Sequence, residues 1–343
     1  MIFWPLLVLV SFGHSQYSQW SYSANITVNT SGLGTTGTIS DFPLLVRLHS
    51  GNFDFLQAQA GGEDIRFANP GGDPLSYEIE RWDQSGQVAE IWVKLDAVDL
   101  NNSSQFFQMY WGSDSAGSES NSQAVFETGN GFTAAWHMDE EAAGTGTSEL
   151  YLDATSNANH GNDMVSSTSQ TGMIGLGHGF NGTDDNIQVE FPTNLPASQL
   201  SVSGWMNVNA HVDWLGIVQH GWGSDGGWMI FSDASAEFFM GIYDGGQQRA
   251  TYSGLATGTW IHFYGTYDGT TVLLYVNAVE SGSPGYATTS LATADAVDIS
   301  DGDNPFDGFL DEIRVESQAR SADWIKLCYE SQRSDQSIIS IGA

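Results

Sequence analysis

GTWIHFYGTYDGTTVLLYVNAV, from Gly258 to Val279, decides the fold class of this chain. Trp260 to Tyr267 is dominated by aromatic and β-branched residues, and Thr271 to Val276 resumes the same pattern, so both halves read as strands. Between them Tyr267-Asp268-Gly269-Thr270 supplies turn chemistry, because Asp-Gly tolerates the positive φ that a tight hairpin demands. A second acidic strand, FDGFLDEIRV from Phe306 to Val315, echoes the first further along the chain. Together they predict an antiparallel β-sandwich.

Composition narrows the setting. The chain has 343 residues, room for about two domains of ordinary size. Glycine and aromatics are abundant while lysine is scarce, which suits short strands joined by Gly-rich turns better than helices. A formal charge of −32 repels phosphate backbones and anionic bilayers, which excludes nucleic acid as a partner and favours divalent cations. Residues 1–15 read as a secretory signal, apolar from Ile2 to Val10 with Gly13-His14-Ser15 at the cleavage spacing, although a positive leading region is missing. No other stretch approaches the roughly 20 apolar residues of a membrane helix, so membrane insertion is not expected. The expected location is secreted, extracellular or at the cell surface. Cys328 is the single cysteine, which rules out an intrachain disulfide, and WIKLCYE places it as a buried, inert thiol.

Strand patterns recur along the whole chain. Trp20–Thr30, Phe42–Leu48, Tyr77–Trp82, Glu90–Leu95 and Phe106–Trp111 define a first β module over residues 16–127, with Gly112–Ala124 read as a linker. A second module over 128–343 holds strands at Phe132–Met138, Leu200–Val208, Gly227–Ser232 and Glu237–Asp244, besides the opening hairpin. Ser321 to Gln332 is the one helical stretch, with Ser321 as its cap and Trp324, Leu327 and Cys328 on one face. The fold class is therefore all-β: two β-sandwich domains and one short C-terminal helix.

Several segments taken in order carry a family resemblance: AAWHMDE (134–140), DATSNANHG (153–161), GLGHGFNGTDDNIQV (175–189), LSVSGWMNV (200–208), the opening hairpin and FDGFLDEIRV. The second module resembles the concanavalin A-like lectin/glucanase fold of the laminin-G type, a jelly roll. The first, through DFPLLVRL, GEDIRF, LSYEIERWD, EIWVKL and FFQMYWG, is similar to an uncharacterised bacterial module that precedes such domains in secreted proteins. The resemblance implies a structural calcium ion held by Asp153 and Asp311, with Asp184 as a third ligand. Left unbridged, carboxylates about 4 Å apart repel by about 4 kcal/mol at an intermediate dielectric. The competing assignment has Asp153 and Asp184 capping turns and Asp311 accepting backbone hydrogen bonds.

Catalytic signatures are missing. Glucanase relatives place their carboxylates as Glu-x-Asp-x-x-Glu on one strand, a pattern this sequence lacks. Glu78 and Glu80 share a strand face at period two but belong to the first module, while Asp311 and Glu312 should point to opposite faces. There is no G-x-S-x-G elbow. His137, His160, His178, His211, His220 and His262 show no zinc-ligand spacing, and each reads as a surface or satisfied core histidine. For sugar stacking, Trp214, Trp222 and Trp228 stand in a Gly-rich, loop-interrupted region, with Trp222 between Gly221 and Gly223 the foremost exposed ring. The sequence thus points to a secreted, non-catalytic carbohydrate-binding or adhesive surface protein with structural calcium and a polysaccharide or glycan partner. A second reading is a self-assembling filament or sheet subunit, with Trp20–Thr30 as a donor strand, and a third, weaker one is a glycoside hydrolase.

Overall fold

The computed structural model describes residues 16–34, 36–141, 146–166, 170–190, 192–211 and 214–342. The expected secretion signal, residues 1–15, lies outside them. The described residues are mostly strand, arranged as two sandwiches.

The first sandwich packs a four-stranded sheet on a three-stranded one. In the four-stranded sheet Tyr22–Val28 lies between Ile339–Ile341 and Gln105–Trp111, with Arg66–Ala68 at the far edge. Its partner sheet orders Gly37–His49, Val88–Leu100 and Tyr77–Asp83. Pro43 falls within Gly37–His49, an edge strand, where its missing N–H is tolerated. The proposed donor strand is thus hydrogen-bonded on both sides by its own chain. The Gly112–Ala124 segment is tied down too. Gln59 donates to the carbonyls of Ser113 and Ala116, Arg66 to that of Gly117, and Ser122–Val125 forms a short helix capped by Asn121.

The second sandwich pairs an eight-stranded with a seven-stranded sheet. The opening hairpin is there as Ile261–Tyr267 and Thr271–Val276, with Tyr267 opposite Val272. Its turn is held by Asp268, whose Oδ1 accepts from the N–H groups of Thr270 and Thr271, while Gly269 alone carries the positive φ, 98°. The echo strand, Asp307–Glu316, is central: it bonds Leu200–Val208 on one side and both Leu176–Asn181 and Phe132–Trp136 on the other.

The two sandwiches share apolar packing. One continuous core joins Phe42, Leu44 and Trp92 of the first to Phe132, Tyr264, Tyr275 and the helix Ala322–Gln332. Ser321 caps that helix, accepting from the Trp324 N–H at 3.3 Å, and Trp324, Ile325, Leu327 and Cys328 are buried. After it the chain returns to the first sandwich as Ile339–Ile341. Residues 128–343 therefore furnish the second sandwich and one strand of the first.

Trp324 packs edge-on against Phe42 at 5.0 Å and lies under the Arg320 guanidinium at 3.7 Å. Trp324→Ala is expected to cost about 3–5 kcal/mol, as large-to-small core changes do. Because the core is continuous, urea unfolding followed by fluorescence and by circular dichroism should show both sandwiches shifting together in one transition; two separated transitions would contradict the shared core.

Candidate functional site

Two places bring chemically capable side chains together. The first is the junction of the sandwiches. Tyr77–Asp83 sends Glu78 and Glu80 inward from the first sandwich, as their period-two spacing requires. His137 follows directly on Phe132–Trp136, and Asp307–Glu316 supplies Asp311, Glu312 and Arg314.

His137 is the hub. Its Nδ1 lies 2.6 Å from Glu312 Oε1 and 3.8 Å from Glu80 Oε2, and its Nε2 lies 3.2 Å from Glu78 Oε2. Glu80 Oε2 accepts from Trp92 Nε1 at 2.7 Å, and Glu312 Oε2 from Arg314 Nη2 at 2.6 Å. The Arg314 guanidinium stacks over Trp92 and Phe126, 4.5 and 4.9 Å from their ring centres. Asp311 Oδ2 accepts the N–H groups of Met173 and Ile174 at 2.7 and 2.8 Å. Beside these groups opens a cleft of about 380 Å³, bordered by Glu78, His137, Asp139, Glu140 and His160.

Electrostatics at the junction follow from burial and mutual charge. Burial, then the Glu312 charge, pushes both Glu80 and Asp311 well above the ordinary carboxylate range. Burial works against the His137 imidazolium, but Glu312 and Glu78 outweigh it and hold its pKa well above normal. Burial would raise Glu312 as well, yet His137 and Arg314 bring it below its usual value. At the cleft, burial lifts Glu140 to about 7.

Asp311 and Glu312 do not alternate as an ideal strand would. Register with Leu200–Val208 slips between Ser203 and Trp205, and Glu312 takes a left-handed backbone, φ 53°. Both carboxylates consequently act on Glu80. Of the two readings of His137, surface or satisfied core histidine, the structure shows the second, buried with both ring nitrogens hydrogen-bonded to carboxylates. Its sequence signal was faint: Glu-x-Glu in one module and a His followed by Met-Asp-Glu in the other.

The expected calcium ligands are not brought together. Asp153 is buried, its Oδ1 accepting from the Ala135 and Thr155 N–H groups and its Oδ2 from Asn159 N–H and the Thr155 hydroxyl. Asp184 is exposed and accepts from Asn181 Nδ2, while neighbouring Asp185 is buried and ties the loop to Ser166. Asp311 serves the junction. Among the described residues, the set whose metal-ligating atoms converge, all within 4.8 Å of one another, is Glu80, His137 and Glu312.

The second place is the outer face of the seven-stranded sheet. Alternation along Trp228–Ser232 and Glu237–Tyr243 turns Met229, Phe231 and Phe239 outward into a small apolar cluster. Trp222 packs against it and lies across Gly241, where a Cβ would meet the indole at 3.2 Å. Trp214 leans on Phe231 at 5.3 Å, is 39% exposed, and has a left-handed backbone, φ 61°. Arg249 reaches over Phe239 at 4.1 Å and Trp214 at 5.5 Å. Trp228 departs from expectation. The same alternation points it into the sandwich core, fully buried, so it offers no surface to a ligand.

Residues 181–326 match the model of the concanavalin A-like lectin/glucanases superfamily, and residues 61–140 match a domain of unknown function (DUF2341). The chain thus carries a concanavalin A-like domain preceded by that second domain type. No curated protein matches. Among solved structures, the receptor-binding domain of botulinum neurotoxin mosaic serotype C/D is 13% identical, covering 59% of this chain and 51% of that one at a TM-score of 0.45. The serotype G binding domain is 11% identical, covering 58% and 50% at 0.46. Domain 4 of AbnA, an extracellular arabinanase from Geobacillus stearothermophilus, in complex with arabinotriose, is 20% identical, covering 57% and 97% at 0.41. The chain spans about half the length of the botulinum structures.

One titration is set by the fold alone. His262 is buried beside Trp205, and burial, with the Arg314 charge adding to it, pushes its pKa down to about 3. The unfolded chain regains an ordinary imidazole, so between that value and about 6.5 it binds the extra proton and stability falls as pH falls. His262→Phe should flatten the acid limb of unfolding free energy against pH, by up to about 1.4 kcal/mol per pH unit in that window. Parallel limbs in the two proteins would contradict a neutral buried His262.

Proposed function

We propose that this protein is a non-catalytic glycan-binding protein that works outside the cell, with the outer face of the seven-stranded sheet as its binding surface. The observation that carries the reading is Trp214. An indole left more than one-third exposed, on a bulky residue in a left-handed backbone and backed by Phe231, Phe239 and Arg249, is a flat platform of the kind pyranose rings stack on. Trp222 extends that platform along the sheet. The match of residues 181–326 to a lectin and glucanase superfamily supports a binding role for the same module.

Several features bear on the ligand and on catalysis. With a formal charge of −32, the protein suits neutral polysaccharides over acidic ones. Glu80 and Glu312, the convergent carboxylates, have side chains only 1% exposed, too deep for a sugar ring to meet, which supports binding without hydrolysis. Export is supported by the apolar stretch Ile2–Val10. The proposal needs no calcium at Asp153, Asp184 and Asp311: both Asp153 oxygens accept from nearby N–H groups, Asp184 accepts from Asn181, and Asp311 Oδ2 accepts from Met173 and Ile174.

Affinity electrophoresis and a glycan array of neutral polysaccharides test the reading. Wild type should be retarded by at least one neutral glycan. Trp214→Ala should lose most of that retardation, since a stacking ring contributes on the order of 1–3 kcal/mol, while its melting temperature stays near wild type. Equal retardation of the two proteins, or none for wild type across the panel, rules the platform out.

A further inference from the structure

At the junction of the two sandwiches Glu80, His137 and Glu312 converge, and one carboxylate oxygen among them is buried without a partner. Glu80 Oε2 is held by Trp92 Nε1, and its Oε1 has no hydrogen-bond partner although the side chain is 99% buried. Glu312 Oε2 is held by Arg314 Nη2, which leaves Oε1 facing His137 Nδ1. His137 Nε2 is held by Glu78 Oε2, and Nδ1 shares a hydrogen with Glu312 Oε1 at 2.6 Å, the proton a metal ion would displace. Ligating atoms from these three residues lie within 4.8 Å of one another. An unpartnered buried carboxylate oxygen costs about 1–3 kcal/mol or more, so a sequence that retains one has a use for it.

We propose that Glu80, His137 and Glu312 bind a divalent metal ion of the zinc class, with Glu78 as the positioning residue that orients the imidazole. The chemistry of the donor set selects the ion. One imidazole nitrogen with two carboxylates suits Zn²⁺ or Mn²⁺, whereas Ca²⁺ wants six to eight oxygens and accepts nitrogen poorly. Side-chain movements of about an ångström bring the three atoms to the spacing of a zinc ligand sphere, about 2.0–2.2 Å from the ion. Glu78 on Nε2 reproduces the carboxylate–histidine–metal arrangement that fixes the tautomer, leaving Nδ1 as the donor. Charge agrees. Once metal uptake releases the protons held there, Glu78, Glu80, Asp311 and Glu312 outnumber the guanidiniums of Arg47 and Arg314 by two charges, which a divalent cation balances. The acidic cleft bordered by Glu78, Asp139 and Glu140 is the entry path. Because Glu80 comes from the first sandwich and His137 and Glu312 from the second, the ion ties the modules together. This inference is independent of glycan binding at Trp214.

The test uses the full chain without a histidine tag, stripped with a strong chelator and titrated with ZnCl₂ by calorimetry, with MnCl₂ and CaCl₂ in parallel. Zinc should bind at about one ion per chain and raise the melting temperature, and calcium should do neither. Glu80→Gln and His137→Gln should each abolish the stoichiometric step, and Glu78→Gln should weaken it by about 10- to 100-fold. His160→Gln, at the rim of the same cleft, should leave it intact. Failure of folded wild type to take up zinc overturns the proposal, as does undiminished uptake by both Glu80→Gln and His137→Gln. Glu80→Gln removes a buried carboxylate and should fold; if it does not, wild-type stoichiometry and His137→Gln decide.

Discussion

Buried carboxylates from two different sandwiches have to be neutralised at a single point, and that requirement fixes how the halves of this chain meet. Glu78 and Glu80 reach the junction from one side and Asp311 and Glu312 from the other, with His137 between them. A displacement of either sandwich would strand an ionised group in a medium where desolvation alone costs several kcal/mol. Apolar packing around Trp324 and Tyr264 tolerates small slips; the polar cluster does not. The same logic reaches the next network along the strand, where Tyr264 donates to Glu316 and Glu316 pairs with Arg320, whose guanidinium also donates to the carbonyl of Asn130.

The cluster depends on one irregularity. A regular Asp307–Glu316 strand would turn Asp311 and Glu312 to opposite faces, and one of them would be lost to the junction. The bulge at Glu312 prevents that. Opposite it stands Gly204, where a Cβ would press within 2.5 Å of Ile313 Cδ1. An added Cβ there would also meet the Phe263 ring at 3.0 Å, so both side chains would have to shift.

That dependence explains which parts of the molecule could be read from sequence. The hairpin was legible because its turn is local: Asp268 binds the N–H groups of Thr270 and Thr271, and Gly269 supplies the positive φ. The helix after Ser321 was legible for the same reason, cap and apolar face lying within one short stretch. Trp214 and Trp222 stood out in a Gly-rich region, but Trp228 in the same region could not be separated from them, since strand phase decides inward from outward and no local signal marks it. The junction was illegible. Positions 80, 137 and 312 meet only through tertiary packing, and the bulge that aligns the last of them contradicts the period-two rule by which the strand was read. The return of Ile339–Ile341 to the first sandwich is likewise non-local.

The junction also constrains where a ligand can bind. One outer surface of the eight-stranded sheet, with Trp205, His262 and Tyr264, is covered by the helix and the first sandwich: Trp205 Nε1 donates to Gln332 Oε1 at 2.8 Å, and Tyr264 and Tyr275 lie in the shared core. Arg47 closes the seam by donating to the carbonyls of Gln332 and Arg333. The outer surface of the seven-stranded sheet is free of that cover and carries instead an aromatic layer capped by Trp214, Trp222 and Arg249. Docking of the first module therefore gives the two sheets different surroundings. One becomes an interior wall that holds the buried charges, and the outer face of the other stays clear of the first module.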